Sequence, residues 1–588
     1  VTSQTDRVPA RPRTRGGARR CAAVLACLLL VAGCGSGNTG AAGVPTQAGE
    51  PDAGVDGVRA ASDRPGGTLR LVTGPLDSLD PQRSYLPGVW NLMRLYVRTL
   101  VTYSPEPGRT DQLVPDLATD LGTTPDGGKT WTFTLREGVR FEDGRPITSR
   151  DVKYGIERSF ASEVVVGGPT YVVDLLDDRA DPYAGPYQDE TPGRLGLRAI
   201  ATPDDRTIVF TLTAPTPDFP FVMALPSSSP VPADLDTRGD YGRDPVSTGP
   251  YAITSVDPQA GILLERNPQW DRATDDVRTA LPDRVVVRTG LGGVPRDQAL
   301  LAGSADIDLS GTGVQTATIS RLDAAPDLAA RIDDVTSGAI RLLALPTTVP
   351  PMDNADCRAA VAAVVDRVAV QDALGGPPTA VRASQLWPRA LAGGPEQPDP
   401  APDLAAARES LTACGRPDGF ETVLAVADVP SIVEVAGSVA DDLAQVGIRA
   451  EVRPLDPATY YAADVGKPAN VTAQGYGIVL ATWTADFPTP ASFLVPLVDG
   501  RSIREVGNTN YARLADPAVN ALVDAARVAG DPAAAADPWR QVAVAATATS
   551  AYVPLVEDRT QLLAGQRLRN GVVMRPYGSY DVATAGVG

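Results

Sequence analysis

The chain is predicted to fold as an α/β protein. Short apolar–polar alternations mark strands along residues 68–335, and after about residue 335 helical stripes take turns with further short strands. No self-similar unit recurs at a period of roughly 20–50 residues, which argues against a solenoid.

Thr68-Leu69-Arg70-Leu71-Val72 opens the body as an alternating strand, and Trp131-Thr132-Phe133-Thr134-Leu135 repeats the pattern ahead of turns at Gly138 and Gly144. Thr148-x-x-Asp151 has the capping-box spacing, and the helix it opens carries Val152, Ile156 and Phe160 on one face. Strands are expected over 207–212, 262–265 and 285–288. Asn354 or Asp356 caps a helix with Val361, Val364, Val365 and Val368 at helical spacing, stopped by Gly375-Gly376. Ile432, Val435, Val439, Leu443 and Val446 form a second stripe, ended by Gly447, before Ile448, Ala450 and Val452 alternate as a strand. Asp516-Pro517 and Asp537-Pro538 each place an N-cap before a proline at the first helical position.

Composition narrows the chemistry. The 588 residues include no histidine, which removes Ser-His-Asp and Cys-His nucleophile pairs and histidine metal ligands. Carboxylate, Ser-Lys or Tyr chemistry remains open. The formal net charge is −18, although residues 1–33 hold six arginines against one aspartate, so the remainder is more negative still. Such a surface repels phosphate backbones and anionic headgroups, and no nucleic-acid partner is expected.

The arginine-rich start runs into twelve apolar residues, 21–32, too few for a spanning helix of about 20 but suited to a signal peptide over 1–33. Val31-Ala32-Gly33-Cys34 resembles a bacterial lipobox, which makes Cys34 the expected lipidation site. Residues 34–67 are small, polar and rich in Gly and Pro, and read as a flexible tether. No later segment is apolar for long enough to span a bilayer, so the body is expected outside the cytoplasm, anchored to the membrane by its N-terminal lipid, with the export route open. In that compartment Cys357 and Cys414 read as a disulfide, two buried free thiols being the alternative.

Several blocks, in order, resemble the extracellular solute-binding proteins of family 5, the oligopeptide- and dipeptide-binding type. They are Leu113-Val-Pro-Asp-Leu-Ala-Thr119, the long block from Trp131 to Val152, Thr248-Gly-Pro-Tyr251, Arg266-Asn-Pro-Gln-Trp270, Gly303-Ser-Ala-Asp306 and the run from Pro351 to Arg367. Glu142 stands where the family often has histidine, and Cys357 replaces a common valine. The resemblance implies a periplasmic-binding-protein-like fold (type II, cluster C) in which two main lobes close on a ligand beside an inserted third. Lobe I would comprise 68–98, 226–335 and 554–588, lobe II 99–225 and lobe III 336–553.

Ala481-Thr-Trp-Thr-Ala-Asp-Phe-Pro-Thr-Pro-Ala-Ser-Phe-Leu494 resembles the family motif whose aspartate pairs with a ligand ammonium and whose tryptophan lines the cleft. The resemblance therefore implies Asp486 and Trp483 as ligand-binding residues, against the alternative that Asp486 caps a turn and Trp483 is core. Leu480 stands where some peptide binders carry arginine, so the partner of a ligand carboxylate is left unassigned. The implied function is a lipid-anchored, monomeric receptor of an ABC importer that presents peptides or similar amine-bearing solutes to permease subunits in the membrane. No catalysis, cofactor or metal is implied. Rival readings are a non-peptide solute such as an oligosaccharide or metal complex, a secreted carboxylate-dependent hydrolase, and an adhesion or scaffold protein. Gly290-Leu-Gly-Gly293 lacks a dinucleotide-site context, and the acidic run Asp174, Asp177, Asp178, Asp181, Asp189 and Glu190 lacks calcium-loop spacing.

Overall fold

The computed structural model describes residues 51–588, except 167, 178, 179, 323, 324, 392, 458, 530 and 531. The signal peptide, Cys34 and the first part of the expected tether lie outside the described residues.

Lobe I is built on a five-stranded sheet in the order Ile307–Asp308, Thr68–Val72, Arg284–Arg288, Gly261–Arg266, Tyr251–Asp257. The first two pairings are parallel and the other two antiparallel. Alternation in Thr68–Val72 buries Leu69 and Leu71 completely, as the period-2 pattern requires. Lobe II carries the antiparallel strands Thr130–Thr134, Thr207–Thr211 and Ile200–Ala201. Its helix Ser149–Arg158 starts at the expected capping box, where the Thr148 amide donates to Asp151 Oδ2 at 2.8 Å.

Lobes I and II share one continuous apolar core that runs from Leu69 and Val285 to Phe133 and Phe210. Buried ion pairs reinforce the join. Asp116 receives Arg98 at 2.7 Å and Arg278 at 2.8 Å, and Asp80 receives Arg158 at 2.8 Å, all with side chains almost fully buried. Removing one member of such a pair strands a desolvated charge and costs about 3–5 kcal/mol. Lobes I and II are therefore joined by a shared core and by buried ion pairs.

Lobe III is a mixed six-stranded sheet in the order Ala380–Arg382, Tyr552–Leu563, Ile332–Ala344, Tyr476–Trp483, Glu421–Ala427, Arg449–Leu455, with a separate core on each face. Two of its strands are long enough to cross into lobe I. Ile332–Ala344 and Tyr552–Leu563 pair along most of their length, with register shifts between Thr336 and Ile340 and between Arg341 and Leu342. Gly338, with φ of +74°, sits in that irregular stretch, a conformation that favours glycine. These two strands carry the chain between lobe III and lobe I.

Several expectations need correction. The tether is shorter than 34–67, because residues from Asp52 onward are docked on the body. The Asp52 amide donates to Ile332 O at 2.9 Å, the Gly54 amide donates to Asp333 Oδ1 at 2.7 Å, and Arg59 Nη2 pairs with Asp333 Oδ1 at 2.9 Å. The polar composition concealed a segment held by hydrogen bonds to a buried carboxylate. The final crossing from lobe III to lobe I comes at 558–559 rather than 554, because the edge strand Ala380–Arg382 keeps its partner strand in lobe III as far as Asp558. The stripe from Val361 to Val368 is two helices, Ala355–Val364 and Arg367–Ala373, since the Asp366 side chain accepts from the Val368 amide at 2.8 Å and caps a new start. Asp537-Pro538 lies inside the helix Pro532–Ala548, where Asp537 pairs with Arg540 one turn on.

Candidate functional site

The strand Tyr476–Trp483 belongs to the centre of the lobe III sheet and ends at the mouth between lobes. The loop that follows, 484–489, is fastened at both ends. The Trp483 indole N–H donates to Phe493 O at 2.8 Å, and the Thr489 hydroxyl accepts from the Ser492 amide at 3.3 Å to cap the helix Pro490–Val498. Ser492 Oγ also donates to Phe487 O at 2.5 Å. The proline at the first helical position favours the start, its missing N–H being one that a helix N-terminus leaves unused.

This loop projects three side chains toward the other half. Asp486 Oδ2 accepts hydroxyl hydrogen bonds from Tyr85 of lobe I, at 2.7 Å, and from Tyr171 of lobe II. The Phe487 ring enters the core shared by lobes I and II, 5.4 Å from the Tyr171 ring and 5.8 Å from Phe221. The Thr489 hydroxyl donates to Asp218 of lobe II at 2.7 Å. Burial and the neighbouring Asp486 charge push both tyrosine hydroxyls well above their ordinary pKa, which keeps them protonated as donors. Burial likewise raises Asp218.

Phe487 separates two cavities. One, of about 290 Å³, lies between lobes II and III and is lined mainly by apolar groups, among them Tyr171, Leu175, Val495 and Trp539. The other, of about 70 Å³, is bounded by Asp486 and its loop, the crossing residues 336–338, Asp111 of lobe II and Arg575 of lobe I. All three lobes therefore meet around Asp486. Both tyrosines bind the same carboxylate oxygen, and Oδ1 has no hydrogen-bond partner among the described residues. A carboxylate oriented in this way can receive a cation within the small cavity.

Asp486 is half-buried at the lobe junction, and its hydrogen bonds come from tyrosine side chains rather than from turn amides. Trp483 is half-buried but is absent from the walls of the small cavity. Its ring packs on the lobe III core while its N–H holds the loop to the helix. Phe493 is fully buried core, whereas Phe487 joins the halves. Leu480 is buried in lobe III. Sequence reasoning missed Tyr85, Tyr171, Asp218, Asp111 and Arg575, which lie far apart along the chain and share no spacing signal.

Away from the cleft, Cys357 and Cys414 are joined as a disulfide with Cα atoms 5.4 Å apart, tying the helix Ala355–Val364 to the end of Leu404–Ala413. In the acidic lobe II loop, Asp189 accepts from the Tyr183 hydroxyl and from the Thr191 and Gly196 amides, which accounts for its place there. No cluster suited to a metal ion occurs among the described residues.

Residues 112–504 match the family model for bacterial extracellular solute-binding proteins, family 5 Middle. The solved structure of clavulanic acid biosynthesis oligopeptide binding protein 2 superimposes with a TM-score of 0.88 at 43% identity, covering 92% of this chain and 99% of that one. Protein XP55 of Streptomyces lividans is 27% identical over 487 residues, 77% of this chain and 78% of that protein. The periplasmic oligopeptide-binding protein OppA of Salmonella typhimurium is 34% identical over 158 residues, 25% of this chain and 27% of that one.

Proposed function

Because the chain belongs to the family 5 bacterial extracellular solute-binding proteins, we propose that it captures peptides or similar amine-bearing solutes and delivers them, unchanged, to the permease of an ABC importer. Two of the relatives above carry names that describe oligopeptide binding. The observation that carries the reading is Asp486, a carboxylate held by two tyrosines at the meeting point of three lobes, with one oxygen free beside a cavity. An ammonium desolvated there needs a fixed anionic partner, since an unpaired buried charge costs several kcal/mol. Trp483 acts in this scheme by holding the loop that presents Asp486. The crossing at 336–340 supplies the hinge for closure.

The lipobox-like Val31-Ala32-Gly33-Cys34 supports attachment to the outer face of the cell membrane through a lipid on Cys34. The acidic body is then a monomeric receptor working beside the permease.

Calorimetric titration with dialanine tests the amine role. Asp486→Asn keeps the side-chain shape but removes the charge, and a charge-assisted hydrogen bond contributes about 1.5–3 kcal/mol. Affinity is expected to fall roughly ten- to hundredfold. Unchanged affinity in the variant would remove Asp486 from the site.

A further inference from the structure

The chain contains a single Asn-Gly pair, Asn570-Gly571. In such a pair the backbone nitrogen reaches the preceding side chain easily, because glycine puts no Cβ in its path. Asn570 follows the short strand Leu568–Arg569, which pairs with Gly586–Val587, and has φ of +55°. Asparagine tolerates that left-handed conformation better than most residues, so a turn alone accounts for its presence. The contacts around it go beyond what a turn requires.

The docked N-terminal segment covers the pair. Asn570 Oδ1 accepts from the Ser62 amide and Asn570 Nδ2 donates to Ser62 O, both at 2.7 Å. The Asn570 amide donates to Ala60 O at 3.2 Å, the Gly571 amide to Arg59 O at 3.0 Å, and the Arg59 amide to Gly571 O at 2.8 Å. Arg59 is anchored in turn, its Nε and Nη2 each 2.9 Å from the carboxylate of the buried Asp333. Both groups that must meet for an attack are therefore engaged elsewhere. Ser62 grips the side-chain amide at its two ends, and the buried Gly571 gives its N–H to Arg59. A buried, hydrogen-bonded backbone amide gives up its proton only when the structure opens locally.

We propose that Asn570-Gly571 is a deamidation site protected by residues 59–62, and that reaction there prevents this segment from docking again. The Gly571 nitrogen gives its proton to solvent and bonds to Asn570 Cγ. The Cγ–Nδ2 bond breaks, and the nitrogen leaves as ammonia after taking a proton from water. Water then opens the resulting succinimide to aspartate or isoaspartate, with no change of oxidation state. The product carboxylate only accepts hydrogen bonds. Ser62 O and Thr584 O, at 2.7 and 3.4 Å from Nδ2, then face an acceptor where a donor stood. Isoaspartate also lengthens the backbone inside the bridge between Arg59 and Gly571.

The test ages three samples side by side in neutral buffer and follows Asn570 by peptide mass spectrometry: the native protein, its Arg59→Ala variant and a synthetic peptide of residues 565–576. The native protein is expected to deamidate at least tenfold more slowly than the peptide, with Arg59→Ala in between. Ser62→Pro, which removes only the N–H held by Oδ1, replaces Arg59→Ala should the latter not melt cooperatively. Equal rates in native protein and peptide overturn the protection. A loosened variant that deamidates as slowly as the wild type overturns the part given to residues 59–62. Asn570→Asp supplies one product directly, and trypsin is expected to cut it after Arg59 at least tenfold faster than the wild type. An unchanged cutting rate overturns the claim that reaction blocks docking.

Discussion

At the residue scale the lobes meet on a carboxylate whose position the fold fixes. Two tyrosine hydroxyls on one oxygen of Asp486 fix its plane and leave the other oxygen directed by geometry rather than by chance. Glu142 shows the opposite use of burial. It lies in the family block where histidine is common, and desolvation first, with Asp244 and Asp143 adding to it, lifts its carboxyl from 4.5 to about 7. A raised carboxyl favours the folded state while protonated. Between about pH 4.5 and pH 7 the unfolded chain gives up this proton first, so stability declines as pH rises through that window. Glu142→Gln is expected to gain melting temperature over the wild type at pH 8 and to gain little at pH 4, as thermal melts at the two pH values would show. A constant difference would mean that Glu142 does not titrate in this range. The motif singled out Asp486 as a candidate but not its tyrosines, because nothing local marks Tyr85 or Tyr171 as neighbours of a residue some 300–400 positions away.

At the element scale, local signals worked where one face or one cap decided the outcome. The capping box at Thr148, the stripe ending at Gly447 and the Asp516 cap all formed as read. They failed where a single side chain redirected the backbone, as Asp366 does in splitting one stripe into two helices. The same helical layer carries the disulfide, which closes 57 residues of sequence. On the chain-entropy account a loop of that length stabilises by roughly 4 kcal/mol. The double variant Cys357→Ser, Cys414→Ser is expected to melt several degrees lower while retaining solute affinity, because the bond lies away from the cleft. Thermal melting and calorimetry would check the two halves of that expectation, and a lost affinity would tie the bond to the site.

At the scale of the whole molecule, the lobes are joined unequally. Lobes I and II share a core and buried ion pairs. Lobe III has its own two cores and meets them through two strands and a few cross-lobe contacts, chiefly Asp486, Phe487 and Thr489. Truncating a buried phenylalanine costs about 3–5 kcal/mol, and for Phe487 that cost falls on closure rather than on either core. Phe487→Ala is expected to enlarge the radius of gyration of the solute-free protein in small-angle scattering, with little change in melting temperature. An unchanged radius with a strongly lowered melting temperature would make Phe487 a core residue and not a bridge. The sequence by itself determined the α/β class, the family, most caps and strands, and the candidate Asp486, because each depends on residues within one turn, one strand or one motif. Only the tertiary structure decided which tyrosines hold Asp486, that Trp483 braces a loop, that residues after Asp52 are docked, and that Arg575 shares its cavity. Those facts depend on contacts between segments hundreds of residues apart, and chain closure over such distances leaves no periodic trace in the order of the residues.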